Sequence, residues 1–576
     1  MGLVILAVFA GLAMLLTRPM LTEGHNAVYK APGDPNFQAW TLAWDVREIR
    51  RSPTNLFNSN IFFPNGDTLA YSDSQVSTAL LSWPLLAVTG NPLQSANLTL
   101  VVNFFLAGVG MYLLAHRLSR NRAAALVAGI IFAFAPPRVA QIWHLQMTSV
   151  AWMPLCLLFL HRFSEGKKWH DAALAGLFLV VQTLATWYLG LMLTVAIVVF
   201  LAVRLVVDRR TFTPVWVLTL LAVLAVSAAA VAPFAAPYLR THAKDPRFVR
   251  TVEETDQFSA DIRDFAVASE PNLVWGTLTS GLRKTTVKRG GPTERSLFPG
   301  LLPLLLGMAG TVLLFARGKG EERFYVRYYA SLAAVGVLLC LGTKLYFFGR
   351  SIDMPMPYHL LYYLFPGFKV IRVPARFIVL VVLALAVLSA FAVKALVMKV
   401  SERHRPSTAG LAALALAVLV ILDVMTASLP MFPVPARNDF AEVYHWLAAQ
   451  PGDAPTVEIP MAAYDPRTFK AGLQYERSWL PRESMRTYYS TLHWKKLLNG
   501  YSGYIPDSYY EAVKVTAGFP SIESLAWLKV KGIKYIIVHG RQLDPNTLQR
   551  VFDYSLDHKE MQSWKVFGGD YVYRIR

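Results

Sequence analysis

The chain has 576 residues, of which 54% are hydrophobic and only 16% are charged, and its formal net charge is +19. Soluble domains usually carry about 25% charged residues, so this composition excludes an ordinary soluble protein. The basic residues stand at the ends of apolar runs and form no stripe of their own, which excludes a nucleic-acid partner and is typical of membrane spans. The two cysteines, Cys156 and Cys340, both lie inside apolar runs, so we expect neither a disulfide framework nor a cysteine metal site.

About eleven apolar stretches approach the roughly 20 residues that a helix needs to cross a bilayer. The predicted spans are 3–20, 98–116, 122–137, 148–162, 171–187, 188–205, 214–237, 297–316, 327–345, 376–398 and 408–429. The stretch 76–90 is shorter and contains Pro84, so we expect an interfacial or re-entrant segment. The N-terminal run lacks a basic start and a cleavage site, which indicates an uncleaved first span.

Basic residues cluster in alternate loops, and this alternation predicts a cytoplasmic N-terminus. The long loops and everything after about residue 430 then face outward. The sequence therefore predicts a polytopic α-helical membrane domain, 1–430, with its first outward loop at 21–75. A soluble extracytoplasmic domain, 431–576, follows it.

The C-terminal domain reads as mixed α/β. Apolar residues recur at helical spacing in 438–450, and the segment that ends at Gly532 has a helix stop. Three short β-patterned segments, TVEIP, KYIIVHG and DYVYRIR, predict strands.

The first outward loop carries the clearest candidate for chemistry. Asp34 follows a Pro-Gly turn signal, and Phe37, Trp40, Thr41 and Trp44 recur after it at helical spacing. This pattern predicts an acidic group at the start of an aromatic helix at the membrane interface, where it could act as a general base or a metal-linked carboxylate. The alternative is that Asp34 only caps the helix, a role worth about 1 kcal/mol.

Weaker candidates flank that site. Asp73 is a second possible carboxylate, whereas Asp67 stands in an Asn-Gly-Asp turn and is better explained by turn chemistry. In the outward loop 134–147, Arg138 and His144 could bind a phosphate, for which arginine offers a bidentate fork. The alternative is interfacial anchoring by an arginine that reaches toward water.

Lys369, Arg372 and Arg376 lie in an outward loop, against the positive-inside tendency. A cationic cluster in that position suits the phosphate or pyrophosphate of a lipid-linked substrate. Contact with ordinary anionic lipids is the alternative explanation.

The segment 485–510 is dense in tyrosine, and it includes His493 and Trp494. Flat aromatic faces and hydroxyl tips suit a sugar ring, so we take His493 and Trp494 as candidate substrate contacts. A β-rich packing segment is the alternative. Motifs for ATP hydrolysis, zinc proteolysis and serine hydrolysis are missing from the sequence, and we assign no metal ligand.

In these features the chain resembles the GT-C superfamily of membrane glycosyltransferases, and more narrowly the poorly characterised bacterial YfhO-like proteins. The resemblance rests on one short span, an outward loop with Asp34 in GDPNFQAW, many further spans and an outward α/β domain. Four local matches support it: FAFAPPRVAQIWHLQ, ERSLFPGLLPLLL, FPGFKVIRVPARF and YYSTLHWKKLLNGYSGYIP.

The resemblance implies an inverting hexosyl- or pentosyltransferase in the bacterial cytoplasmic membrane. Such enzymes move a sugar from a polyprenyl-phosphate donor to a glycan, lipid or protein acceptor at the outer face. Asp34 fits the position of their catalytic carboxylate. Asp34 has no adjacent acidic partner, which leaves open whether a divalent cation is needed. The acceptor motif WWDYG of oligosaccharyltransferases is missing from the sequence.

Two other classes of function stay open. A flippase for lipid-linked saccharides would place ionisable residues inside its spans, and the span interiors are nearly free of charge. A non-catalytic envelope assembly factor would need no clustered carboxylate and arginines. Asp34 and the outward arginines therefore favour the transferase.

Overall fold

The computed structural model describes residues 2–246, 248–286, 290–427, 429–461 and 479–576. The chain folds into two compact units. The helical unit comprises Met1–Leu21, Thr99–Ala236 and His242–Leu429. The mixed unit comprises Thr22–Leu98, Pro237–Thr241 and Pro430–Arg576. The first outward loop is thus counted with the C-terminal part, which the linear order of the sequence does not indicate.

Each of the eleven predicted apolar stretches contains a helix, because uninterrupted apolar residues leave the backbone no partner other than itself. These helices are Leu3–Leu16, Pro92–Ser119, Arg122–Phe134, Trp152–Gly166, Trp169–Ala185, Trp187–Val207, Pro214–Lys244, Leu301–Arg317, Glu321–Cys340, Ile378–Arg403 and Pro406–Val424. Pro92–Ser119 and Pro214–Lys244 contribute residues to both units.

Among the described residues, six helical segments are long and apolar enough to cross a membrane, so the chain is a multi-span membrane protein. They are Pro92–Ser119, Arg122–Trp143, Trp187–Val207, Pro214–Lys244, Pro374–Arg403 and Ser407–Val424. Leu3–Leu16, Trp169–Ala185 and Leu301–Arg317 are apolar but shorter. The count of eleven spans and the orientation stay predictions.

The helix Ile378–Arg403 is the centre of the helical unit, and its residues from Ile378 to Val393 are all buried. Leu301–Arg317 packs closely against it through glycines. A Cβ atom at Gly310 would lie 1.9 Å from the carbonyl oxygen of Leu388. Only glycine permits this approach, as is common where membrane helices pack on each other.

Shorter elements connect these helices. They are Arg18–Thr22, Pro136–Ala140, Leu145–Thr148, Val252–Gln257, Trp275–Leu278, Ser280–Thr286, Pro357–Leu364 and an antiparallel hairpin of Leu345–Phe347 with Arg350–Ile352.

The mixed unit contains a four-stranded sheet, in the spatial order Thr456–Ile459, Tyr535–His539, Asp570–Ile575, Met561–Phe567. The first two strands are parallel and the other pairs are antiparallel. Its helices are Asp34–Arg51, Val76–Thr89, Glu442–Ala449, Trp479–His493, Asp507–Thr516, Ile522–Val530 and Pro545–Asp557. The three strands predicted from the sequence are present.

Backbone pairing ties the first outward loop to the C-terminal part of the mixed unit. Ala27–Tyr29 pairs antiparallel with Met431–Pro433. The amide N–H groups of Phe62 and Phe63 donate to the carbonyl oxygens of Asn499 and Leu497 at 3.0 and 2.8 Å. These pairings join segments more than 400 residues apart, which no local pattern predicts.

Candidate functional site

Asp34 is the first residue of the helix Asp34–Arg51, as predicted. Gly33 precedes it with a φ of 149°, which L side chains rarely adopt, and Pro35 follows in the first turn. The Tyr501 hydroxyl donates a hydrogen bond to Asp34 Oδ1 at 2.5 Å. A carboxylate at this position gains from the positive end of the helix and can accept a proton from a hydroxyl.

The aromatic side of this helix is buried within the protein, and the position of the helix at the membrane interface stays a prediction. Phe37, Trp40 and Trp44 are each at most 4% exposed. Phe37 contacts Trp40 and Tyr501, each with ring centroids 5.5 Å apart, and Trp44 packs against Trp494. These rings form a core of the mixed unit because the C-terminal segment supplies partners that the sequence alone does not reveal.

A buried polar stripe on the same helix was missed. Gln38, Asp45 and Glu48 recur at intervals of seven and three residues, which the helical period brings to one side. The carboxyl group of Asp45 is fully buried, and among the described residues it accepts only from the backbone N–H of Gln75, at 3.2 Å. Burial raises the pKa of Asp45 to about 8. Its spacing from Gln38 is the signal that could have identified it.

The other acidic candidates of this loop differ in their surroundings. Asp67 forms a bidentate ion pair with Arg240 at 2.7 and 3.0 Å, and its φ of 56° fits the turn that the sequence predicts. Asp73 is half-buried. The backbone of the neighbouring residues Ser72 and Ser74 contacts the Tyr238 hydroxyl.

His493 ends the helix Trp479–His493, so the β-rich alternative for this segment is wrong. His493 Nδ1 accepts the backbone N–H of Lys495 at 3.0 Å, and enclosure lowers the pKa of His493 to about 4. Trp494 follows with a φ of 55°. Arg47 stacks on the rings of Trp44 and Trp494, at 5.5 and 5.2 Å from their centroids. Trp494 thus packs with the Asp34 helix.

The mixed unit also contains a buried charged network that the sequence did not predict. Glu458 Oε2 accepts hydrogen bonds from the Tyr444 hydroxyl at 2.8 Å and from His539 Nε2 at 2.9 Å. His539 Nδ1 contacts Asp570 at 2.8 Å, and Arg486 lies 3.4 Å from Glu458. Residues from three strands and two helices meet here, so only the tertiary structure assembles it.

In the helical unit, a small cleft of about 20 Å³ brings together two of the predicted arginines. It is lined by Pro137, Arg138, Gln141, Met147, Thr293, Glu294, Ser296, Leu297, Ala375, Arg376, Ile378, Val379 and Val382. Arg138 is only 4% exposed, and its guanidinium donates to the carbonyl oxygens of Phe132, Ala133 and Thr148. The guanidinium therefore satisfies backbone groups where the span ends.

Glu294 also lines this cleft, and the sequence did not identify it as a candidate site residue. Its carboxylate accepts from Arg376 Nη2 at 2.6 Å and from Gln141 Nε2 at 2.9 Å, and His144 Nδ1 lies 3.9 Å away. Burial alone would raise the pKa of Glu294, but Arg376 and His144 together hold it below its usual value. An acidic residue inside the matched segment ERSLFPGLLPLLL was the available signal.

The remaining predicted cations are also near counter-charges or rings. Arg372 forms an ion pair with Glu254 at 3.0 Å, and its backbone N–H donates to the Tyr188 hydroxyl. Lys369 lies over the ring of Tyr362, 6.0 Å from its centroid. Both side chains are half-buried, unlike the enclosed Arg138.

Comparison with family models decides the family. A model described as a domain of unknown function, DUF6311, matches residues 5–425. The chain belongs to the DUF6311 family. No curated protein matches this DUF6311 chain.

Solved structures similar to the DUF6311 chain are membrane glycosyltransferases of low identity. The arabinofuranosyltransferase AftD from Mycobacteria is 16% identical with a TM-score of 0.54, covering 100% of this chain and 41% of AftD. ArnT from Cupriavidus metallidurans, bound to undecaprenyl phosphate, is 11% identical with a TM-score of 0.46, covering 98% and 97%. The oligosaccharyltransferase AglB from Archaeoglobus fulgidus, in complex with an inhibitory peptide and a dolichol-phosphate, is 13% identical with a TM-score of 0.46, covering 94% and 69%.

Of these three, AftD alone has a TM-score above 0.5. The fold of the DUF6311 chain is therefore similar to that of AftD, which agrees with the GT-C-like fold that the resemblance implied. The narrower YfhO-like assignment stays a prediction.

Proposed function

We propose that this protein is a membrane glycosyltransferase that takes a sugar from a polyprenyl-phosphate donor and transfers it to an envelope acceptor at the outer face of the bacterial cytoplasmic membrane. The observation that carries the proposal is the Asp34 carboxylate. It stands at the positive end of a buried helix and is oriented by the Tyr501 hydroxyl. The GT-C fold shared with an arabinofuranosyltransferase supports the same class of reaction.

In this proposal Asp34 is the general base. It removes the proton from the acceptor hydroxyl as that oxygen attacks the anomeric carbon, and the bond to the carrier phosphate breaks with inversion. Tyr501 holds the carboxylate in one orientation, which lowers the entropy that must be lost in the transition state. The Asp34 side chain is half-buried, so the carboxylate is sheltered from bulk water without being fully enclosed.

Cations are needed to stabilise the departing phosphate, because charge develops there as the glycosidic bond breaks. We assign this role first to Arg372 and Lys369, whose side chains are half-buried. Arg138 and the Arg376–Glu294 pair are more deeply buried than Arg372, so their roles are better explained as shaping the cleft. His144, Asp73, His493 and Trp494 stay candidate substrate contacts.

The experiment is a turnover assay in lipid nanodiscs with a panel of polyprenyl-phosphate sugars, each tested with Mg²⁺ and with EDTA. We expect wild-type protein to consume one donor and Asp34→Asn to lose at least 100-fold in rate, since general base catalysis contributes about 10²–10⁴-fold. Glu23→Gln, which changes an exposed carboxylate of the same loop, is the matched control. Tyr501→Phe should retain partial activity.

Each outcome decides between the open functions. Full activity of Asp34→Asn would reject the assigned base. Donor binding without turnover by either protein, followed by donor translocation across a sealed vesicle, would favour a flippase. If no donor binds, the envelope assembly factor becomes the better explanation.

A further inference from the structure

One loop of the helical unit exposes an unusual set of apolar side chains. It runs from 341 to 373 and leads into the apolar segment Pro374–Arg403, which is long enough to cross a membrane. The exposed residues are Phe347, Phe348, Ile352, Met354, Leu360, Tyr363, Leu364, Phe365 and Val370. The sequence predicts residues 346–375 to be outside the bilayer core, and yet the surface of the loop is apolar. Exposed apolar patches of this kind mark binding surfaces.

The turn of the hairpin in this loop has an unfavourable backbone conformation. Phe348 and Gly349, between the strands Leu345–Phe347 and Arg350–Ile352, have φ values of 49° and 84°. Such turns favour asparagine followed by glycine, and a bulky residue in the left-handed region costs free energy. The Asp261 carboxylate compensates by accepting the N–H groups of Phe348 and Gly349 at 3.0 and 2.6 Å. The hairpin thus keeps a phenylalanine at its tip, where the side chain of Phe348 is 56% exposed.

The helix Pro357–Leu364 exposes leucine side chains on its outer side, unlike a surface helix of a soluble protein. Tyr358 and Tyr362 face inward and are buried, whereas Leu360 and Leu364 are each 61% exposed. A surface helix in water places its apolar side on the core. Leucine and aromatic residues on the outer side are typical of helices that lie in the plane of a membrane interface.

The charge of the loop identifies the partner. Residues 341–373 contain four basic residues, Lys344, Arg350, Lys369 and Arg372, and a single acidic one, Asp353. Arg372 pairs with Glu254 outside the loop, and the remaining basic residues still outnumber the acidic one. Basic residues beside exposed aromatic ones match anionic lipid head groups above an acyl layer. The loop is also tethered to a membrane-spanning segment, so a bilayer surface is always within its reach.

We infer that the loop 341–373 is a membrane anchor. The hairpin tip at Phe347 and Phe348 inserts as a wedge into the outer boundary of the acyl chains, and the helix Pro357–Leu364 lies in the same interface with Leu360 and Leu364 toward the lipid. This inference does not depend on the proposed transferase activity.

Depth measurement by spin labelling tests the inference on the full-length protein in nanodiscs of phosphatidylcholine and phosphatidylglycerol. Nitroxide labels are placed through Phe348→Cys and Leu364→Cys, and Lys514→Cys, which is exposed in the mixed unit, is the control in water. Both native cysteines are buried, so unsubstituted protein gives the labelling background. We expect labels at 348 and 364 to collide with oxygen more than with an aqueous nickel complex, and the opposite at 514.

Nickel accessibility at 348 and 364 equal to that at 514 would overturn the anchor. A second variant removes the phenylalanine at the hairpin tip without disturbing the turn. Phe348→Asn creates the preferred Asn-Gly turn, so the hairpin should form, and a label at Phe347→Cys then reports its depth. We expect this substitution to raise nickel accessibility at 347 at least twofold. An unchanged depth would mean that Phe348 contributes nothing to insertion.

Discussion

The ion pair between Glu294 and Arg376 should contribute strongly to stability only while both charges are present. Their side chains are 7% and 9% exposed, and the shortest contact is 2.6 Å. Glu294→Gln keeps the volume and one acceptor oxygen but removes the negative charge that faces the Arg376 guanidinium. Removing one member of a buried pair costs about 3–5 kcal/mol, so we expect a loss of that size in the free energy of unfolding.

The double variant Glu294→Gln with Arg376→Gln should be less destabilised than the sum of the single variants, by about 2 kcal/mol, because it leaves no orphaned charge. Equilibrium unfolding in mixed micelles of increasing SDS fraction, followed by tryptophan fluorescence, measures each free energy. The control is Glu322→Gln, which breaks a partly exposed pair with Lys394 at 3.3 Å and should cost at most about 1 kcal/mol. If Glu294→Gln costs no more than this control, or if the two substitutions are additive, the buried-pair reasoning is refuted.

Two further predictions concern packing and pH. Gly310→Ala should destabilise the helical unit by about 1–3 kcal/mol, because the added Cβ would lie 1.9 Å from a backbone carbonyl oxygen. Gly410→Ala, with no atom within 4 Å, should be neutral or slightly stabilising in the same SDS titration, and equal effects would contradict the packing argument. Burial alone would lower the pKa of His539, but hydrogen bonds to Asp570 and Glu458 raise it above the usual value. Its stabilising contribution is therefore complete below about pH 6.5 and lost as pH rises through the folded-state pKa. As the pH rises through that pKa, the thermal midpoint of the wild type should fall more than that of His539→Gln. Parallel curves of thermal midpoint against pH would exclude His539 as the source of the pH dependence.

The sequence by itself determined the features that depend on local pattern. Uninterrupted apolar runs produced helices at all eleven predicted stretches, since a backbone in lipid must satisfy its own hydrogen bonds. Asp34 begins its helix because a glycine and a proline define the turn before it. The strands Thr456–Ile459 and Tyr535–His539 likewise follow from short β-branched and apolar runs.

Only the tertiary structure decided which distant segments meet. The aromatic helix that begins at Asp34 was predicted to lie at the membrane interface, and the sequence did not reveal that Trp494 and Tyr501, at least 450 residues away, bury its aromatic side within the mixed unit. The outward basic residues were predicted as a cationic cluster, and the structure pairs two of them with Glu254 and Glu294. Periodicity reports which side of an element is apolar or charged. It does not report what covers that side, because the partner is chosen by packing and charge pairing across the whole chain.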